Sequence, residues 1–292
     1  MLSVEQSESE SEPAQAHNSG HVAAERAAAL RRRLHKPWID NINGPLWPQV
    51  RAELRIVFSP PFDVLSVVVI NVGLALGAWF LINPDIVLNY TALVFLPIAL
   101  ASWALSDVPA TNLFGGRSEQ ILEHFDQPTE LRRIMTVENI VLWLLVAPGS
   151  MLLSIALMPS QHEPLISIAI AIAVLCIPFA YLGLAAIMAP LLPFHPLPWR
   201  QRLNRRDTWP RWGVAIAVAY FGLTWPAGVL AVGPAAFILR YVGQEPIHYL
   251  IAAIVITPWC LLIWRTGLRI STRIAEWRRP WLEQFLADPN RG

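Results

Sequence analysis

The chain has 292 residues, of which 54% are hydrophobic and 15% charged, and its mean hydropathy is +0.43. A water-soluble domain carries about 25% charged residues, so too little polar surface is left to cover a soluble body of this size. The 22 basic and 21 acidic residues leave a net charge of +1, which excludes a basic nucleic-acid binder, and the composition excludes a disordered, collagen-like or disulfide-stapled chain. A membrane protein is expected.

Residues 1–24 form a polar, acidic tail with Glu5, Glu8, Glu10 and Glu12. It lacks the basic start and apolar stretch of a secretory signal, so it is expected to stay attached, disordered and cytoplasmic. Residues 25–62 are basic and amphipathic. Arg31, Arg32, Arg33 and Lys36 precede Trp38, and Trp47, Val50, Leu54 and Val57 then recur at steps of three and four. Arg51, Glu53 and Arg55 fall between them. That pattern predicts a helix lying in the headgroup region with its apolar side down, ended by Pro60 and Pro61.

Residues 63–270 form the expected transmembrane domain. Its six apolar stretches run about 64–83, 87–106, 139–158, 165–190, 212–239 and 247–266, each near the roughly 20 residues that cross a bilayer. Two long connections, 107–138 and 191–211, hold most of the loop charge. With a cytoplasmic N-terminus, 21 of the 22 basic residues fall inside and only Arg240 outside. The positive-inside rule therefore predicts an all-α, multi-pass bundle in the plasma membrane, with six transmembrane helices and both termini cytoplasmic. Residues 271–292 are the basic cytoplasmic tail.

No charged residue falls near the middle of a span; Asp107, Glu138 and Arg265 sit at inner ends, and Asn71, Thr224 and Thr257 are among the few central polar groups. This weighs against a proton- or sodium-driven carrier, and no charge ring or repeated filter sequence suggests an ion channel. Pro97, Pro148, Pro178, Pro226 and Pro258 each interrupt a different span. They are candidate hinges, the alternative being that proline is common in membrane helices. The fifth stretch is expected to break at Trp225-Pro226-Ala227-Gly228 and continue as a short outer dip, with one kinked helix as the alternative. Gly73 and Gly77 form a small-xxx-small step for close helix packing, within the chain or in a dimer.

Motifs for chemistry are missing. There is no Gly-x-x-x-x-Gly-Lys-Ser/Thr phosphate loop, no His-Glu-x-x-His and no paired-Cys pattern, so no catalytic residue, cofactor or metal is expected. Cys176 and Cys260 lie in apolar runs and read as small buried hydrophobes. An enzyme acting on lipid through Asp107 or His195 finds no supporting cluster of acids.

The 107–138 loop is the most informative segment. Ala110-Thr111-Asn112-Leu113-Phe114-Gly115-Gly116 predicts a turn at the glycines. A short amphipathic helix follows, with Ile121, Leu122 and Phe125 on one side and Glu119, Glu123 and His124 on the other. Gln127-Pro128-Thr129 breaks it, with Thr129 placed to cap a second helix. That helix runs through Glu138-Asn139 straight into the third span. An exposed helix with an acidic face suits docking on a basic soluble partner; the alternative is a helix resting on lipid.

Asn112-x-Phe114-Gly115, the short helix, the Leu131-Arg132-Arg133 segment and Glu138-Asn139 entering an apolar span together resemble the transmembrane subunit of type-2 ABC exporters. Glu138 stands where lysine is commoner in that family. The resemblance covers roughly residues 45–270 and implies six spans, an interfacial helix before the first and a re-entrant element between the fifth and sixth. It also implies a homo- or heterodimer and a separate ATPase subunit that moves residues 117–126 like a lever. Phe114, Gly115 and Gly116, following Asn112, would make the bend, and Glu119, Glu123 and Asp126 the docking face. The apolar and aromatic spans favour a lipid-like or amphipathic substrate over an ion. A non-transporting membrane protein that recruits cytoplasmic partners is the alternative.

Overall fold

A computed structural model of the protein describes residues 38–60, 62–82, 96–101, 111–158, 163–195 and 206–288, and every regular element among them is helical. The acidic tail at 1–24, most of the expected second span and residues 196–205 of the second long loop lie outside the described residues.

After a 3-10 turn at Ile39–Asn41, helix α1 spans Leu46–Val57. Its apolar stripe is divided between two environments. Val50 and Val57 are buried in the protein core and Leu54 packs beside them, whereas Trp47 remains 57% exposed. Gln49 and Glu53 are buried as well, and a polar face turned inward needs protein partners. Helix α1 therefore leans on the protein as much as on any lipid.

Helix α2 (Asp63–Ile82) coincides with the expected first span, and residues 96–101 are helical within the expected second. Two short helices follow, α3 (Leu113–Gly116) and α4 (Ser118–Glu123). Helix α5 (Pro128–Ala156) is uninterrupted, as the sequence predicts. Pro128 takes its first position, where a missing N–H leaves no bond unmade; Gln127 rather than Thr129 is the cap residue, without a side-chain bond. At 29 residues it is about 44 Å long and exceeds a bilayer core of roughly 30 Å. Its first turns must therefore project beyond the apolar zone.

Among the described residues, four helices are long and apolar enough to span a membrane: α5, α6 (Pro164–Leu191), the composite Trp209–Tyr241, and α9 (Pro246–Trp277). Large apolar side chains stay exposed along them and along α2, among them Val69, Ile70, Phe221, Val229 and Ile254. Such surface is ordinary against lipid and a liability in water.

Helix α6 is the centre of the bundle, with 56% of its apolar window buried against 22% for α9. Its packing face is alanine-rich, with Ala173, Ala180, Ala185, Ala186 and Ala189. Helices α6 and α9 form the most extensive pair and meet at glycines. A Cβ on Gly183 would lie 2.7 Å from Trp264 Cα, and one on Gly267 would lie 2.8 Å from Gly183 Cα. The expected close approach at Gly73 and Gly77 is not made within the described chain, since no described atom lies within 4 Å of a Cβ at either. Gly183 and Gly267 serve that purpose because they lie where the two backbones cross.

The fifth crossing is α7 (Trp209–Ala217), a π-helical turn at Val218–Gly222, and α8 (Thr224–Tyr241). The irregularity precedes Pro226 instead of falling on it. Leu223 N–H reaches back five residues to Val218 O at 2.8 Å, which widens the turn. Pro226 then falls in the first turn of α8, where its lack of a donor is harmless. Tyr181 donates to Ala219 O at 3.1 Å and Tyr220 to Asn71 Oδ1 at 2.6 Å, tying the turn to α6 and α2.

The remaining candidate hinges sit inside helix. Pro97 is buried in the 96–101 segment, and Pro148, Pro178 and Pro258 lie within α5, α6 and α9. Neighbours bond to carbonyls at or beside those a proline frees. Trp143 Nε1 donates to Leu175 O at 2.7 Å, next to the acceptor that Pro178 leaves without its donor. Trp259 Nε1 donates at 2.7 Å to Leu230 O, the acceptor freed by Pro234. Cross-helix bonds thus support the helices beside Pro178 and Pro234.

Candidate coupling platform

One end of the bundle carries a separate polar and apolar assembly. It is built from α1, α3, α4, the first turns of α5, the end of α9, and α10 (Arg279–Ala287). Its core includes Trp38, Val50, Phe114, Ile121, Phe125, Ile134, Leu282 and Phe285, all at most 5% exposed. The apolar side expected of the loop helix is confirmed by burial: Ile121 is fully buried and Phe125 is 3% exposed. Phe125 also meets the fully buried Phe114 edge-on, with ring centroids 6.4 Å apart.

Asn112 fastens the two long loops together. Its Nδ2 donates to Phe194 O at 2.7 Å, and Phe194 N–H donates to its Oδ1 at 2.9 Å. One amide side chain thus reproduces the paired bonding of two strands. Gly115 is required by the same contact, because a Cβ there would fall 2.7 Å from Phe194 C. Gly116 is exposed and faces no described atom within 4 Å. Replacing Asn112 with alanine removes both of these buried hydrogen bonds, at about 0.5–1.5 kcal/mol each. The Asn112→Ala chain is expected to unfold several degrees lower than wild type in the same detergent, followed by thermal denaturation.

Between α3 and α4, Arg117 joins three elements. Its Nη2 contacts Glu53 Oε1 on α1 at 2.8 Å and pairs with Glu138 on α5. Glu53 also accepts from Trp38 Nε1 at 2.9 Å. The three charged side chains are only 4–12% exposed. A single guanidinium therefore neutralises part of two buried carboxylates, and low solvent access strengthens each contact. Arg133 adds to the tie, with Nε to Gln49 Oε1 at 2.9 Å and Nη2 to Gly44 O at 2.8 Å. Gln49 in turn donates to the carbonyls of Asn41 and Ile42.

The expected docking residues divide. Glu119 and Glu123 on α4 are exposed. Asp126 is exposed too, but it pairs with Arg279 at the start of α10, and Arg279 Nε also meets Glu283 at 2.7 Å. The hydrogen bond to Asp126, followed by that to Glu283, raises the Arg279 pKa above its ordinary value. Asp126 is therefore engaged by the C-terminal helix in an exposed ion pair. Beside Glu123, a cavity of about 410 Å³ is lined by Asn41, Asn43, His124 and Glu130 with Ile39 and Ile42. Among the described residues no group of three His, Cys, Asp or Glu side chains could hold a metal ion.

The chain matches no protein-family model, no curated protein and no solved structure. The platform therefore has to be understood from its own geometry. Sequence reasoning overlooked Arg117, Glu53, Phe194 and Arg279. The contacts Arg117–Glu53, Phe194–Asn112 and Arg279–Asp126 join residues 64, 82 and 153 positions apart along the chain. The one usable signal was Arg117 standing alone among the acids Glu119, Glu123 and Asp126 of the loop helix.

Proposed function

We propose that the chain is the membrane subunit of an ABC-type exporter, powered by a separate ATPase subunit that grips α4. In this reading it has six spans, cytoplasmic ends, α1 at the headgroup boundary, and a dimeric working form. The observation that carries the reading is the continuity of α4 with the spans. Ile121 and the following Phe125 are sunk in the platform core, Arg117 before α4 is tied to α1 and α5, and Asp126 after it is tied to α10. A load applied to Glu119 and Glu123 would pass into α5 and α9 as rigid displacement, because close-packed cores shift as units.

The lever is accordingly larger than residues 117–126. Moving α4 alone would expose Ile121 and Phe125, each worth about 1.5–3 kcal/mol of burial, so α10 and the start of α5 must travel with it. The energy source must come from outside, since the sequence holds no phosphate-binding loop. The apolar and aromatic residues of the spans, with no charge near their centres, suit a lipid-like or amphipathic substrate better than an ion.

Purification of the full chain in mild detergent tests the proposal. An ATP-hydrolysing subunit is expected to co-purify, and Glu119→Arg with Glu123→Arg is expected to reduce its recovery at least tenfold while the chain stays monodisperse. Undiminished recovery of the ATPase would remove the docking face. Recovery of other soluble partners but no ATPase would favour the recruiting protein instead.

A further inference from the structure

Beside the platform, two arginines share an aromatic stack. Trp281 and Phe285, one turn apart on α10, lie with centroids 5.2 Å apart and planes 8° from parallel. His195 stacks on the other ring at 4.9 Å, with its Nε2 2.9 Å from Phe285 O. The Arg211 guanidinium lies 4.1 Å from the Phe285 centroid and 4.9 Å from that of Trp281, and Arg278 lies 4.1 Å from Trp281. Arg278 commits only Nη1, to the carbonyls of Pro190 and Leu191 at 2.9 and 2.7 Å. Its Nε and Nη2 form no hydrogen bond with any described residue. Arg211 forms no hydrogen bond or ion pair with any described residue, and the two cations repel each other. Burial draws the Arg278 pKa below its ordinary value. Ring faces orient both forks but supply no countercharge.

Depth completes the picture. Arg211 lies in the first turn of the Trp209–Tyr241 crossing, and Arg278 directly follows the Pro246–Trp277 crossing. Trp209 and Trp277 at these ends are 44% and 81% exposed, as tryptophans are at a membrane boundary. We propose that Arg211 and Arg278 together bind the phosphate of an anionic phospholipid headgroup, with Trp281 and Phe285 holding the two guanidinium groups in place. Planar forks with free N–H donors match phosphate oxygens, and basic pockets between membrane helices select such headgroups. The site does not depend on a motor subunit.

The test uses the full chain in detergent, titrated with short-chain phosphatidylglycerol or phosphatidylcholine, with native mass spectrometry counting bound lipid. Phosphatidylglycerol is expected to bind more tightly, and Arg211→Gln to weaken it about fivefold. Arg240→Gln, at the opposite end, should leave it unchanged. Arg278→Gln also strips the α6 carbonyls of donors, so Arg211→Gln, which breaks no hydrogen bond or ion pair with a described residue, is the decisive variant. Equal affinity for the two lipids, or no response to Arg211→Gln, overturns the proposal. Displacement by inorganic phosphate at concentrations comparable to the lipid would overturn the lipid as the source of the anion.

Discussion

Replacing Arg117 with methionine is expected to destabilise the chain by about 3–5 kcal/mol, the range for removing one partner of a buried ion pair. Methionine fills similar space, so the loss is mainly electrostatic. Glu53 and Glu138, at 4% and 12% exposure, would be left without the cation they share. The damage should be largely reversed by Glu53→Gln and Glu138→Gln in the same chain, because replacing a whole buried ionic group is often neutral. Thermal unfolding of the four single and combined variants in one detergent reads both effects. A loss below about 1 kcal/mol for Arg117→Met, the scale of an exposed pair, would show that the carboxylates are not held by Arg117. The same variant should weaken coupling to any motor subunit, since Arg117 joins the head of α4 to two other helices.

Gly267→Ala should be nearly as severe, at about 3 kcal/mol, the upper range for overpacking a tight core. Its methyl would be driven into the Gly183 backbone, with Cα 2.8 Å away, and backbone cannot rotate aside as a side chain can. Helices α6 and α9 would have to separate along their whole shared face. Gly149→Ala on α5 is the matched control: no described atom lies within 4 Å of its Cβ, and alanine gains helix propensity of about 1 kcal/mol. The two variants should therefore move the unfolding midpoint in opposite directions. A neutral Gly267→Ala would mean that the helices separate without penalty and that the glycine contact contributes nothing to the bundle.

Both predictions concern residues that the linear reading passed over, whereas the platform helix was legible in advance. The amphipathic spacing of Ile121, Leu122 and Phe125 placed α4 and its buried face, and the apolar run after Glu138 carried α5 on as one helix. Asn112 and Gly115 were singled out by motif, but their task, holding the Phe194 backbone, depends on a loop 82 residues away. Asp126 was assigned to a docking face through the family resemblance; it is exposed, but its pairing with Arg279 requires α10 to lie against α4. The fifth crossing runs on as one 33-residue helix, the alternative to a break and outer dip, and its irregularity is a π turn before Pro226. A proline in a first turn disturbs nothing, and the π turn just before it answers to Tyr181 and Asn71 on other helices.

The sequence by itself determined that this protein is helical and apolar, where its long helices lie, and which side of the loop helix is buried. Those properties follow from composition and from periodicity within a single helix turn or span. Tertiary structure alone decided that Gly183 and Gly267 make the close crossing, that Arg117 serves two carboxylates, and that Arg211 and Arg278 share one aromatic stack. Each depends on which faces of distant helices meet, and helix-to-helix register is set by side-chain packing that no local pattern encodes.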